Sequence, residues 1–222
     1  MNAFARKGLF ALAAVSVPVA YTLAVRPWHL RWGATDEECM RPLPGDAIVP
    51  DGTQSTRAIT IHAPARAIWP WLVQMGQDRA GFYSFDWLER LAGADIHNAD
   101  QIFPLWQHLA VGDLMRTYRY IERYEPLGWI VVAIEPERAL VLRSADSRWS
   151  WALALDPLAT GGTRLIARTR DGMMPGLQAP LKFLVAEPAH CIMEIGVLRG
   201  IKARAERMAR SSDETATISQ AA

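Results

Sequence analysis

The sequence has few cysteines and almost no net charge, and each shortage excludes a class of protein. Cysteine occurs only at positions 39 and 191, so no Cys-x-x-Cys pair supports a zinc or thioredoxin-like site. A disulfide between Cys39 and Cys191 would need an oxidising compartment, and we expect thiols this far apart in the chain to stay unpaired. Lysine and arginine number 24 against 23 aspartates and glutamates, a net charge of +1. The composition therefore argues against a nucleic-acid partner.

Catalytic and cofactor motifs are also missing from the sequence. It contains no Gly-x-Ser-x-Gly, no Gly-x-Gly-x-x-Gly, no phosphate-binding loop and no His-Glu-x-x-His. These are the strongest short signatures of serine hydrolases, dinucleotide-binding proteins, nucleotide-binding proteins and zinc peptidases. We therefore predict neither a cofactor nor a metal.

Apolar and aromatic residues are abundant. The chain has 222 residues, of which 50% are hydrophobic and 21% charged, enough for one folded domain with extensions. Its nine tryptophans all lie between Trp28 and Trp151. Such a density of large rings indicates either a bulky core or an aromatic-lined cavity.

The N-terminus contains an apolar run without charge. Gly8 to Val25 is 18 residues long and is closed by Arg26, while a helix that spans a bilayer needs about 20 apolar residues and at least roughly 17. A cleaved signal peptide is the alternative, because residues 22–24 could fit a cleavage site. We favour an N-terminal transmembrane helix, since Trp28 and Trp32 resemble an interfacial belt. The side of the membrane is left open.

The stretch from Ser55 to Leu91 combines a strand with two helices. Arg57, Ile59 and Ile61 alternate with residues of the other face, which predicts a strand that Ala63-Pro64 ends. A helix with Gly76 as its C-terminal cap follows, and its apolar residues recur at helical spacing: Ile68, Trp71, Leu72 and Met75. A second short helix is predicted after Phe82. This order indicates an α+β fold.

These residues resemble the start of the SRPBCC superfamily, also called polyketide cyclase or START-like. The carriers of the resemblance are the Ala-Pro that ends the strand and the Ile-Trp-x-x-Leu of the helix, residues 68–72. Residues 31–38, 42–46 and 187–190 resemble a membrane-anchored bacterial subgroup of unknown function. The resemblance covers residues 31–210. It implies a helix-grip fold, in which an antiparallel β-sheet wraps a long C-terminal α-helix around a cavity.

The remaining chain fits that order of elements. Strands are predicted at residues 114–120, 127–134, 139–143, 149–155 and 163–170. After Pro188, apolar residues recur at steps of three and four, which predicts a long amphipathic helix. We divide the chain into an anchor (1–30), a linker (31–54) that contains a Thr35/Glu38 capping box, a helix-grip domain (55–210) and a disordered tail (211–222).

The candidate ligand site follows from the resemblance, which implies a cavity between sheet and helix. Large rings of the domain and two residues of the final helix would line it, although a packed core could use the same rings. The predicted lining is Trp71, Phe82, Tyr83, Trp87, Phe103, Trp106, Tyr118, Trp129, Trp151, Cys191 and Ile195.

Ionisable residues allow several interpretations, none of them a strong catalytic pattern. His190 and Glu194 lie one helical turn apart and could face a cavity, a metal or solvent. Asp86 could be a buried general acid or an exposed carboxylate. Asp95, His97 and Asp100 fit a turn better than a metal site. A further pair, Arg116 and Arg168, would meet an anionic head group only if both point inward.

The cavity that the resemblance implies favours a binding protein. We predict that the domain binds or carries a hydrophobic or amphipathic, lipid-like small molecule at a membrane that it contacts through residues 8–25. A cyclase-type enzyme with a pocket carboxylate or histidine as acid/base is the alternative. A third option is an interaction module without a cavity, which tight packing of the rings would favour.

Overall fold

A computed structural model describes residues 16, 19–85, 87, 90, 96–117, 128–172 and 182–221. The predicted second helix after Phe82 falls largely outside these residues, as does most of the apolar run from Gly8. Where that run is described, residues 21–25 form a π-helical turn that leads into a short helix α1, Arg26–Leu30. Within the described residues, no helix has both the length and the apolar character needed to cross a bilayer.

The described strands lie close to the ranges predicted from the sequence. The described strands form one antiparallel sheet in the order β1-β6-β5-β4-β3-β2, and short turns or loops join neighbouring strands from β3 to β6. Their bounds are β1 Thr53–Ile61, β2 Leu114–Arg116, β3 Gly128–Glu135, β4 Ala139–Ser144, β5 Trp149–Pro157 and β6 Thr163–Asp171.

The pleat gives this sheet two unlike faces. Arg57 on β1 pairs with Ala167 on β6, which pairs with Leu153 on β5. Alternate side chains lie on opposite faces of a strand, so these three positions share one face. A register shift between Val131 and Ala133 interrupts β3.

Three further α-helices have defined bounds, α2 Asp36–Met40, α3 Ala65–Val73 and α4 Glu187–Ala221. Short 3-10 helices lie at Asp46–Ile48 and Pro104–Trp106. Helix α3 begins directly after Pro64, as predicted, and ends at Val73, three residues before the predicted Gly76 cap. A π-helical turn, Lys182–Ala186, leads into α4. Helix α4 continues to Ala221, through residues that the sequence assigns to a disordered tail.

Helix α4 crosses the face of the sheet that carries Arg57. Its Leu198, Ile201 and Ala205 are fully buried in the main hydrophobic core, with Leu153 and Leu165 of the sheet. This arrangement confirms the predicted α+β helix-grip fold.

The linker covers the opposite face of the sheet. The capping box of α2 is present, because Glu38 N–H donates to Thr35 Oγ1 at 3.1 Å and Thr35 N–H to Glu38 Oε2 at 2.8 Å. Arg168, on that face, donates to the carbonyl of Arg41 at 2.7 Å and to the carboxylate of Asp46 at 2.8 Å. The linker is therefore bound to the domain by a buried guanidinium.

Candidate functional site

Side chains fill the middle of the gap between sheet and helix. Six aliphatic residues from β1, β4, β5, β6 and α4 are fully buried there: Ile61, Leu140, Leu153, Leu165, Leu198 and Ile201. A close-packed region of this kind has no room for a guest. Space for a ligand in the described part of the chain must therefore be sought at the ends of the sheet.

An open cleft lies at the end of the sheet where helix α4 begins. It has a volume of about 400 Å³ that includes open solvent, and the space that a water-sized sphere can enter is about 30 Å³. Such a space holds about one water molecule. The cleft's lining includes Ser55, Arg57, Trp149, Thr169, Glu187 and His190.

A buried ion pair forms the floor of this cleft. Arg57 of β1 donates to the carboxylate of Glu194 of α4, and their side chains are only 1% and 2% exposed. Arg57 also donates to the carbonyl of His29 at 2.8 Å and to Ser55 Oγ at 3.2 Å. The Thr169 hydroxyl donates to Glu194 at 3.3 Å. These bonds satisfy both charges within the protein.

A second ion pair lies at the entrance. Arg26 donates from Nε and Nη2 to the two carboxylate oxygens of Glu187, at 2.8 and 3.1 Å. This two-point geometry is the strong form of the contact. Because Arg57 and Arg26 are both paired, they leave the cleft without a free guanidinium. The other polar side chains of the lining are the hydroxyls of Thr53, Ser55 and Thr169, the carboxylate of Asp171 and the imidazole of His190.

Indole rings form a row on the helix-facing side of the sheet and end at the cleft. The ring centres of Trp129 and Trp151 are 5.7 Å apart, those of Trp129 and Trp149 are 6.5 Å apart, and Trp149 meets His190 edge to face at 6.0 Å. Trp151 is buried, whereas Trp129 and Trp149 are partly exposed. We call Trp129, Trp149 and Trp151 the indole row.

The indole row contains a buried donor that the described protein does not satisfy. Nε1 of Trp151 has no hydrogen-bond partner in the described part of the chain. A buried donor without a partner costs free energy and calls for an explanation. An acceptor brought by a guest would remove that cost.

Two histidines near the cleft are held neutral. Burial lowers the pKa of His190, against the carboxylate of Glu194, which favours the charged form. Burial lowers the pKa of His29 too, and the charge of Arg57 adds to the effect while Glu187 opposes it. Both imidazoles are therefore expected to be uncharged at neutral pH.

The lowered pKa values predict a pH-dependent stability. The unfolded chain takes up protons near its ordinary histidine pKa of about 6.5, whereas folded His29 and His190 resist protonation. The free energy of unfolding should therefore fall as the pH is lowered from about 7.5 to about 5.5. Denaturant unfolding at both pH values checks this.

A matched pair of variants assigns the pH effect. His190→Gln should reduce the loss of stability between the two pH values, since one of the two responsible groups is gone. His108→Gln, at an exposed position, should retain the full loss. Equal pH dependence of both variants would contradict the assignment to His190.

Several predicted lining residues lie in the packed core, away from the cleft. Trp71, Phe82 and Tyr83 are all buried in the main cluster. The Tyr83 hydroxyl donates to the carbonyl of Trp71 at 3.0 Å, and the two rings meet edge to face at 5.7 Å. This part of the predicted lining forms a structural contact between a loop and α3.

The other predicted lining residues are dispersed. The rings of Phe103 and Trp106 have their centres 4.6 Å apart, and both residues are partly buried. Trp87 is 64% exposed. Tyr118 lies outside the described residues. Of the remaining four, Trp129 and Trp151 lie in the indole row. Cys191 is buried with its thiol 3.6 Å from the carbonyl of His29, and Ile195 is partly buried.

The ionisable candidates are mostly engaged elsewhere. Arg116 is exposed and pairs with Asp78 at 3.0 Å, and Arg168 binds the linker on the outer face. Asp100 pairs with Arg204 at 3.0 Å. Asp86 and Asp95 lie outside the described residues. Among the residues that are described, no three His, Cys, Asp or Glu side chains are placed to hold a metal ion, and both cysteines are free.

Sequence reasoning missed part of the cleft. Ser55, Thr169 and Trp149 are absent from the predicted lining. Arg57 carried one available signal, because it is a charged residue in an alternating row with Ile59 and Ile61. A charge on an apolar strand face indicates a buried partner, although it does not identify that partner.

The comparisons with known proteins are limited to the fold. No protein-family model matches the chain, and no curated protein matches it. Among solved structures, the KanY protein has 13% identity and a TM-score of 0.44, over 70% of this chain and 98% of that one. Protein MLL2253 from Mesorhizobium loti has 17% identity and a TM-score of 0.41, over 70% and 98%.

A third solved structure is the Polyketide_cyc-like protein Cgl2372 from Corynebacterium glutamicum. It has 19% identity and a TM-score of 0.34, over 74% of this chain and 94% of that one. Likenesses this distant carry no argument about function. The helix-grip fold that the superfamily resemblance implies is established by the sheet and helix of this chain itself.

Proposed function

We propose that this protein binds one small apolar molecule with an uncharged, hydrogen-bonding end, in the cleft at the start of α4. The apolar part would lie along the indole row, and the polar end would meet the hydroxyl of Ser55 or Thr169 or the imidazole of His190. Residues 8–25 would hold the domain at a membrane, where such molecules are concentrated.

The observation that carries this proposal is the continuity between the indole row and the polar floor. Trp149 contacts both Trp129 and His190, so an apolar surface and neutral hydrogen-bonding groups lie side by side. Covering about 100 Å² of apolar surface would contribute about 2.5 kcal/mol to binding. A few polar groups beside an apolar wall are the usual composition of a ligand site.

The paired charges support a neutral guest. An anionic head group would need an unpaired cation, but Arg57 and Arg26 are bound to Glu194 and Glu187. Breaking the buried pair to bind an anion would leave Glu194 desolvated without its partner, which is costly. A hydroxyl or carbonyl group needs no such exchange.

A guest larger than water must move side chains to enter. The space available to a water-sized sphere is only about 30 Å³, and Trp149 and His190 stand at its edge. Both are partly exposed, and partly exposed side chains change rotamer faster than a packed core does. Binding would then widen the cleft by displacing these two rings.

A second candidate function is acid/base catalysis of the cyclase type. The observation that favours it is His190, a neutral imidazole that lines the cleft and could accept a proton. Glu194 is a poor candidate, because its carboxylate is engaged by Arg57 and Thr169. Under this alternative His190→Gln would abolish turnover while leaving binding in place.

Bromododecanol tests the binding proposal, because its bromine quenches the fluorescence of tryptophans that it contacts. The full-length chain in a mild detergent should show saturable quenching. Trp149→Ala should weaken the affinity about tenfold, equivalent to about 1.4 kcal/mol of lost contact. Bromododecanoate, which carries a carboxylate, should bind more weakly than the alcohol.

Trp106→Ala is the matched control for Trp149→Ala. Trp106 is also a partly buried tryptophan, but it lies in the loop with Phe103. Its loss should leave the affinity for bromododecanol unchanged. Equal effects of the two substitutions, or quenching that never saturates, would exclude the cleft as the binding site.

A further inference from the structure

Two helical segments, residues 19–30 and 182–193, meet beside the cleft and leave apolar side chains exposed. Tyr21 contacts Phe183 edge to face at 5.2 Å, and Arg26 pairs with Glu187 at 2.8 Å. The large apolar residues of the two segments that remain between 43% and 75% exposed are Val19, Leu23, Val25, Trp28, Leu184, Val185 and Ile192. We call these seven residues the apolar patch.

The two segments present little charge to their surroundings. Residues 19–25, 183–186 and 188–193 contain no lysine, arginine, aspartate or glutamate. Arg26 and Glu187 lie next to these stretches and pair with each other, with side-chain exposures of 25% and 12%. A surface with several exposed large apolar residues next to one another is an interaction surface.

The second segment, residues 182–193, has two different faces. His190, Cys191 and Glu194 point toward the domain, as their contacts with Trp149, His29 and Arg57 show. Val185 and Ile192 are seven residues apart, about two helical turns, and lie on an exposed face. This is the pattern of a helix that lies at an apolar boundary.

The sequence next to the apolar patch indicates that lipid covers it. The uncharged run that begins at Gly8 leads directly into Val19, Leu23 and Val25. Trp28, 58% exposed, follows at the position where an indole marks a membrane boundary. Phe183 contacts Tyr21, so Leu184 and Val185 lie next to residues 19–25. A lipid surface around residues 19–25 would therefore also meet Leu184 and Val185.

We propose that the start of the C-terminal helix, through Leu184, Val185 and Ile192, inserts into the same lipid surface as residues 19–25. The domain then has two membrane contacts and a fixed orientation, with the Arg26–Glu187 side of the cleft close to the lipid. This inference rests on the membrane contact of residues 8–25 proposed above, and it does not depend on which guest the cleft binds.

Spin labels test the second contact in the full-length chain, reconstituted in phosphatidylcholine vesicles. Cys39→Ser removes the more accessible native thiol, and labels are then placed by Leu184→Cys or Ile192→Cys. Both labels should collide more often with oxygen, which partitions into lipid, than with a water-soluble nickel chelate. The expected ratio is that of the lipid interface.

Leu158→Cys is the matched control. Leu158 is 36% exposed and follows the far end of β5, the strand that begins with Trp149. Its label should favour the nickel chelate. The proposal is overturned if labels at 184 and 192 behave like the label at 158. It is also overturned if both reagents are excluded and cross-linking joins two chains at these positions, since a second copy then covers the patch.

Discussion

Glu194→Gln is expected to lower the free energy of unfolding by about 3 to 5 kcal/mol, because it leaves the charge of Arg57 buried without its counter-ion. The substitution keeps the shape of the side chain and removes only the charge. The Arg57 side chain is 1% exposed, so solvent cannot replace the lost carboxylate. Denaturant unfolding of the full-length chain, followed by tryptophan fluorescence, measures the change.

Two further variants show whether burial causes this loss. Asp78→Asn breaks the ion pair with Arg116, in which the side chain of Arg116 is 58% exposed and that of Asp78 43%. This substitution should lower the free energy of unfolding by less than about 1 kcal/mol. Replacing the buried pair together, Arg57→Met with Glu194→Leu, should restore much of the stability lost in Glu194→Gln. If Asp78→Asn costs as much as Glu194→Gln, burial is not the cause.

Gly200→Ala should destabilise the protein by about 3 kcal/mol, the upper part of the range for overpacked sites. A Cβ atom at position 200 would lie against the carbonyl oxygen of Tyr83 and 2.7 Å from its Cβ. One turn earlier, a Cβ at Gly196 would lie 2.9 Å from the ring of Phe85. The two glycines let the Tyr83–Phe85 segment cross α4 at close range, and a backbone segment cannot rotate away as a side chain can.

The sign of this effect distinguishes it from helix propensity. At an exposed helix position, alanine is more stabilising than glycine by about 1 kcal/mol. Arg207 is 56% exposed on the same helix, so Arg207→Ala should be more stable than Arg207→Gly by about that amount. If Gly200→Ala also stabilises the protein, the crossing is looser than described. Thermal unfolding of the three variants decides between these outcomes.

The fold was largely predictable because its signals are local. Alternation places strands at β1, β5 and β6 within a few residues of their observed bounds, and Pro64 marks the start of α3. The capping box of Thr35 and Glu38 is likewise a contact between residues three positions apart. The extent of α4 was not predicted, because residues 211–221 have no apolar periodicity to indicate a helix.

The candidate site was only partly predictable, because its contacts are distant in sequence. Arg57 and Glu194 are separated by 137 residues, and only the folded sheet brings them together. Composition alone also does not distinguish a tryptophan of the core from one that lines a cleft. Trp71 packs in the core, whereas Trp149 lines the cleft. The alternation of Trp149 with Trp151 could have placed both on the helix-facing side, but not at its open end.

The most direct test of this account is a crystal structure of the protein with bromododecanol, in which anomalous scattering locates the bromine. We expect the bromine beside Trp129 or Trp151 and the hydroxyl within hydrogen-bonding distance of Ser55, Thr169 or His190. A bromine between Trp71 and Tyr83, or on the face of the sheet that the linker covers, would contradict the proposed site.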